Sequence, residues 1–308
     1  MRSFFTIVTF FLFYTTAFAQ KKDSIKVWTI GGSNSFLFSQ ASFSNWKAGG
    51  QSSLNFLTGF SGHANRHKPK NDWENTVQAA IGTQWLEDET LRKTDDRFEI
   101  VSKYGIRASD KLYTSFQLNL RSQFVQGFQY SGDKKTKASN FFAPAYLTLS
   151  SGMDYRPFTG MSLLISPFST RATMVLDQDL ANLGAYGVKA AIKDADGSIV
   201  VPGQRFRQQI GMGGTIRFDG KLMQNVKLTT KLDLFAQYDY LDVFDVNWDC
   251  LFDFKINRYL TANIGTSLIY DEDILIKKTQ TINGKLVETN KPHVQFKEIL
   301  SLGLKFNY

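Results

Sequence analysis

Three histidines, one cysteine and a spaced set of aspartates are the side chains of this chain best suited to act as bases, nucleophiles or metal ligands. His63 and His67 stand four residues apart. That spacing suits a metal on a helix, but it does not bring two rings together in a strand running into a turn. A hydrolytic pair would need a hydroxyl beside its base. The residues two positions after His63, His67 and His293 are Asn65, Pro69 and Gln295, so no serine shares their strand face at that step. Asp245, Asp249 and Asp253 recur at every fourth position. On a strand that separates neighbours by ~13 Å, too far for them to share one cation unaided. Asp271-Glu272-Asp273 would attract Ca²⁺, and a charged rim accounts for the run equally well. Gly211-x-Gly213-Gly214 lies inside a strand pattern, not at the strand-to-helix turn a phosphate loop requires. Cys250 stands alone, so no intrachain disulfide can form. No catalytic, cofactor-binding or metal-binding residue is assigned, and a protein without enzymatic activity is expected.

The elements that carry these side chains are strands. Phe244, Val246, Trp248, Cys250, Phe252 and Phe254 alternate with Asp245, Asn247, Asp249, Asp253 and Lys255. Leu112, Phe116, Leu118 and Leu120 alternate with Ser115, Gln117, Asn119 and Arg121. Period-two alternation puts apolar groups on one face and polar groups on the other. Soluble sandwiches alternate too, but their strands average about 5–6 residues. The runs here reach roughly 12–16, and a strand crossing a bilayer needs about 9–11. Cutting at turn signals predicts about twelve strands, near 26–39, 51–64, 73–86, 96–108, 111–128, 144–156, 161–175, 205–218, 224–240, 243–257, 259–272 and 294–308. Tight connections at Ser109-Asp110, Pro157–Gly160, Asp219–Met223 and Asn257-Arg258 alternate with the long segments Gln129–Ala143, Leu176–Gln204 and Asp273–His293. Asn65–Asp72 is long for a tight turn in that scheme and Leu241-Asp242 short for a loop. Leu176–Leu183 has the spacing of one or two helical turns that would fold over the mouth, although a solvated loop is the simpler expectation.

The pattern predicts an all-β fold, a transmembrane antiparallel up-and-down barrel. Residues 1–19 are set apart by Arg2, an apolar core over Phe4–Tyr14 and Ala17-Phe18-Ala19, the features of a cleaved secretory signal. Residues 20–308 then form the barrel, directed to a bacterial outer membrane. The last fifteen residues alternate from Val294 to the terminal Tyr308, with Glu298 as the one charged misfit on the apolar face. Ser301-x-Gly303-x-x-Phe306-x-Tyr308 resembles the C-terminal signal read by outer-membrane barrel assembly machinery, which is the expected partner together with outer-membrane lipid.

On the inward face the phase places Arg97, Lys103, Arg107, Arg121, Arg156, Arg205, Arg207, Arg217, Lys227, Lys231, Lys255, Lys297 and Lys305. Glu74, Glu99, Asp154, Asp233, Asp245, Asp249 and Asp253 oppose them. Rings of Arg and Lys favour anions, so a narrow channel or transport-type barrel for small, anion-preferring solutes is the leading expectation. The alternative is a closed structural or interaction barrel whose interior charges pair and whose loops face outward. A lipid- or peptide-acting enzyme is the weakest reading. The formal charge of +8 would suit nucleic acid in a soluble protein, but no nucleic-acid partner is expected of an exported barrel.

One segment is distinctive residue by residue: Phe43-Ser44-Asn45-Trp46-Lys47-Ala48-Gly49-Gly50-Gln51. It resembles an uncharacterised Bacteroidetes outer-membrane β-barrel family (domain of unknown function 3078), with a likeness running from about Val27 to Tyr308. The resemblance implies the barrel architecture and brings no catalytic residue or ligand. Within it, Gly49-Gly50 is expected to make a tight bend and Trp46 to pack in a girdle or loop.

Overall fold

The computed structural model describes residues 27–42, 52–87, 90–131, 134–282 and 285–308. The predicted signal segment, Trp46 and the Gly49-Gly50 bend lie outside them. The first strands are β1 (Trp28–Ala41), β2 (Ser53–His67), β3 (Asn71–Leu86), β4 (Arg92–Arg107) and β5 (Leu112–Ser122). A small hairpin, β6 (Gly127–Ser131) and β7 (Lys134–Ser139), precedes β8 (Ala145–Tyr155) and β9 (Met161–Met174). Helix α1 (Gln178–Asn182), the 3-10 turn Ala185–Gly187 and the hairpin β10 (Ile192–Lys193) with β11 (Ile199–Val201) follow. The chain continues through β12 (Phe206–Met223), β13 (Val226–Gln237), β14 (Asp245–Lys255) and β15 (Leu260–Tyr270). A third hairpin, β16 (Leu275–Ile282) with β17 (Lys285–Pro292), leads into β18 (Gln295–Asn307).

Twelve of these strands close into one antiparallel barrel in the order β1-β18-β15-β14-β13-β12-β9-β8-β5-β4-β3-β2. Each strand pairs with its sequence neighbour, and the last returns to the first. The seam runs from Ser33 opposite Asn307 to Phe38 opposite Leu302. Gly32 and Tyr308 exchange both backbone hydrogen bonds at its end, 2.9 and 3.0 Å. The backbones come so close there that a Cβ on Gly303 would lie 2.1 Å from the Phe36 carbonyl oxygen. Closure leaves no open sheet edge, the condition for a sheet to sit in hydrocarbon.

Burial is inverted relative to a water-soluble core. Phe168 is 74% exposed and Leu300 69%, on the outer face, whereas Asp154 inside is fully enclosed. Among the described residues most buried side chains are polar or charged. An apolar outer wall around a polar interior is the arrangement a lipid solvent demands. Among the described residues no helix is long and apolar enough to cross a membrane, and the crossing elements are strands.

The two awkward connections resolve. β2 and β3 extend to His67 and from Asn71, leaving only Lys68–Lys70 as the turn. β13 and β14 stop at Gln237 and Asp245, lengthening the loop that looked too short. β5 ends earlier than the alternation suggested. The Phe124 and Val125 N–H groups donate to the Asp96 carboxylate at 2.8 and 2.9 Å and so leave the ladder.

The described chain ends, Val27 and Tyr308, and the tight turns gather at one end of the barrel, and the longer described connections lie at the other. The loop end carries a small apolar cluster of Ala143, Val175, Leu180, Ala181 and Val188, with Ala185 and Tyr186 packed against it. It fastens the segment after β9 onto the mouth as a strap, in place of the solvated loop. Asp177 caps α1 by accepting from the Leu180 N–H at 3.1 Å. Lys137 on β7 ties down Asp177 and Asp179 at 2.8 and 2.6 Å. Gly184, at φ 69°, ends the helix in the left-handed region where glycine is unstrained.

Candidate functional site: the barrel interior

The inward faces of these strands stack their polar groups in three tiers. At the turn end, Asp154 accepts from Lys103 Nζ at 2.8 Å, Arg156 Nε at 2.8 Å and Ser162 Oγ at 2.6 Å. Arg156 also reaches Asp72 at 3.0 Å and Glu74 at 2.8 Å, and its guanidinium lies over the Tyr113 ring. Asp253 pairs with Lys305 and accepts from Thr261 Oγ1 at 2.6 Å. Each carboxylate here has several donors, which is what makes a buried charge tolerable.

The middle tier spans the barrel. Asp249 on β14 meets Arg97 on β4 at 3.3 Å and Arg121 on β5 at 3.4 Å. Five strands separate β4 from β14 in either direction round the wall, so the Arg97–Asp249 contact crosses the full bore. Beside it Lys231 on β13 joins Glu99 on β4 at 2.7 Å and Asp233 at 2.8 Å. Gln117 Nε2 donates to Thr215 Oγ1 at 3.3 Å, and Thr215 donates to Asp233 at 2.8 Å.

Above this crossbar, towards the loop end, the interior keeps a cavity of about 450 Å³. Arg97, Arg121, Asn119, Asn247, Thr148, Ser150, Ser169, Tyr146 and Phe235 line its sides, and Tyr186 of the strap reaches it from above. Its charges are matched by wall partners. Arg171 holds Asp245 at 2.5 Å and stands 3.9 Å from Asp271. Arg207 holds Asp273 at 2.5 Å, and Lys297 holds Asp95 at 2.7 Å. Burial, and then the neighbouring Asp245 charge, push the Asp271 carboxyl up to about 6 against the pull of Arg171. Burial raises the Tyr186 phenol to about 12, so it stays a neutral donor; its hydroxyl donates to the Ala138 carbonyl at 2.6 Å. The cavity thus offers hydroxyls, amides and aromatic faces within a nearly charge-balanced wall. Such a lining can hold a small polar solute by hydrogen bonds.

The sequence-derived inward residues fall in different places. Arg97, Lys103, Arg121, Arg207, Lys231, Asp245, Asp249 and Asp253 enter the ion pairs above. Arg107 sits at the exposed turn-end rim, donating to Tyr113 OH at 3.2 Å. Arg217 faces Lys231 in register and makes no ion pair among the described residues. Arg205 is corrected: it is exposed and precedes β12, so it stands above the wall instead of lining it. The surplus of basic groups also shrinks. Asp72, Asp95, Asp271 and Asp273, which the sequence reading left off the inward face, neutralise Arg156, Lys297, Arg171 and Arg207. Arg171 was itself missed, although it alternates with Ala172 in a run whose phase is blurred by Ser166-Pro167-Phe168. The acids of Asp271–Asp273 are engaged with protein donors, and His67 bonds Asp72 at 3.1 Å.

The model of a family described as "Protein of unknown function (DUF3078)" matches residues 38–128, less than half the chain. That stretch holds the Asn45–Gly50 segment. No curated protein matches. Among solved structures the chain is similar to the NanC porin, at 8% identity and TM-score 0.33, covering 89% of this chain and 97% of that one. It is similar to the translocator domain of the autotransporter NalP from Neisseria meningitidis, at 10% identity and TM-score 0.33, covering 91% and 87%. OmpT, an outer membrane protein of Vibrio cholerae, aligns at 7% identity and TM-score 0.31, covering 91% and 97%. The fold assignment rests on this chain's own closed strand order.

Proposed function

We propose that this protein is a bacterial outer-membrane barrel closed at mid-height, whose loop-side cavity receives a small polar solute at the cell surface. One observation carries the reading: the Arg97–Asp249–Arg121 contacts bridge opposite walls of the bore. The apolar outer wall supports a membrane setting, and the signal-like residues 1–19 support export to an outer membrane. Termini and tight turns then face the periplasm, with long loops outside. The C-terminal strand is the segment offered to the assembly machinery. The Asn45–Gly50 segment points to a Bacteroidetes source. A binding role fits better than catalysis, because the interior acids and bases neutralise one another in fixed pairs. With those pairs made, little anion preference is left in the lumen.

Planar-bilayer conductance of the purified protein tests the reading. The wild type is expected to give no ohmic steps. Asp249→Ala, which leaves Arg97 and Arg121 to repel each other, is expected to give them. Steady anion-selective current through the wild type would overturn the closed barrel in favour of a channel.

A further inference from the structure

On the outer wall at the turn end, a cation faces the membrane with most of its donors unused. Trp28, Arg66 and Trp73 are directly opposite one another on β1, β2 and β3. The indoles lie 5.6 Å apart. The Arg66 guanidinium stands over both rings, at 5.8 and 5.7 Å. Its one polar contact among the described residues is a 3.4 Å bond from one terminal nitrogen to Asn71 Oδ1. Nε is buried without a partner, and no carboxylate pairs with the group. The interior cations Lys103, Arg156, Arg171 and Lys231 are each engaged by acids, whereas this group on the outer wall is not, and it calls for an anion from outside the chain.

The position decides what that anion is. Tyr155, Tyr259 and Tyr308 are exposed at the same end of the wall, which marks the level where a bilayer's headgroups begin. Lys68 and Lys70 extend from the turn just beyond Arg66. In the other direction Ile30 and Ala64 form the next row, followed by Gly32, Gly62 and Val77. Trp73 Nε1 donates to Ser102 at 2.9 Å, Ser102 to Asn75 at 2.8 Å, and Asn75 to the Ala64 carbonyl at 2.9 Å. The polar groups of the row above are thereby satisfied, leaving a shallow, small-residue track for an acyl chain. An anion with an apolar tail meets both features at once. The two indoles shield the guanidinium from water on one side and leave its terminal nitrogens for phosphate oxygens.

We infer that Trp28, Arg66 and Trp73 form a binding site for the phosphodiester of a phospholipid in the adjoining leaflet. The lipid would anchor the barrel's depth beside its seam.

Native mass spectrometry of the detergent-purified barrel with added phosphatidylglycerol tests the site. The wild type is expected to retain one lipid, Arg66→Ala to retain it at least tenfold more weakly, and Arg66→Lys to fall between. Arg258→Ala removes another arginine at the same rim, which lies over Tyr259 at 5.2 Å, and should leave retention unchanged. Inorganic phosphate at the lipid's concentration should not compete. Equal retention by Arg66→Ala, equal loss in Arg258→Ala, or displacement by inorganic phosphate would each overturn the assignment. Heat-shifted gel mobility reports whether each variant folds. Should Arg66→Ala not fold, Trp28→Leu carries the test: a loss of threefold or more supports the site, and none overturns it.

Discussion

The two halves of the bore use the same residue types to opposite ends. At the turn end Asp154, Lys103, Arg156, Asp72 and Glu74 form a continuous network, with Asp154 wholly enclosed. At the loop end Arg171–Asp245 and Lys297–Asp95 leave a cavity between them. The network runs along one side of the wall, over β3, β4 and β8, where short turns bring these residues to the same level. The loop end carries the inserted hairpins β6–β7 and β16–β17 and the strap, which includes β10–β11 and its own apolar cluster. The most enclosed charge lies where the chain turns tightly, and the cavity lies where it does not.

The sharpest way to break that comparison is Asp154→Leu. It removes the closest carboxylate of Lys103 and one of three on Arg156 and should cost about 3 kcal/mol, read from urea unfolding in lipid vesicles. A loss below that of any loop-end variant would reverse the ranking. The wall itself comes next. Phe252→Arg, on the outer face and stacked on Phe254, should cost about 2–4 kcal/mol in the same assay. Asp253→Asn follows. Asp253 pairs with Lys305 and accepts from Thr261, so the change should cost about 1–3 kcal/mol.

Asp271 gives the loop end a pH response that the comparison predicts to be local. Its carboxyl, raised to about 6, binds a proton more tightly in the closed mouth than in an opened one. The resulting stability is present below the ordinary carboxylate range and is lost as pH rises through about 6. Hydrogen exchange of the strap amides should report a loss of about 1–2 kcal/mol between pH 4 and 7. Asp271→Asn should flatten it, and an unchanged slope would exclude this group. The smallest effect is expected from Lys137→Ala. Its pairs with Asp177 and the exposed Asp179 should be worth at most about 1 kcal/mol, seen as faster exchange in α1 alone.

Much of the fold was legible because alternation has a fixed period. All twelve barrel strands fall where the apolar and polar faces switch, and the seam joins Val294–Tyr308 to the first strand as its pattern implies. The β6–β7 and β16–β17 hairpins were not legible. Lys134–Ser139 and Lys285–Pro292 carry little apolar-polar alternation in the sequence. The site was legible only as a list of inward charges. Missing Arg171 and Asp271, it read as basic, and pairing partners on strands far apart in sequence returned it to near balance.

The sequence by itself determined a closed, membrane-facing wall, since a period of two settles which side of each strand meets lipid. It also determined which residues could enter the bore. Tertiary structure alone decided that Arg97 and Arg121 meet Asp249 across that bore and that Arg66 stands over two touching indoles. Alternation fixes a side chain's face, whereas its partner depends on stagger and barrel circumference, which no single strand contains.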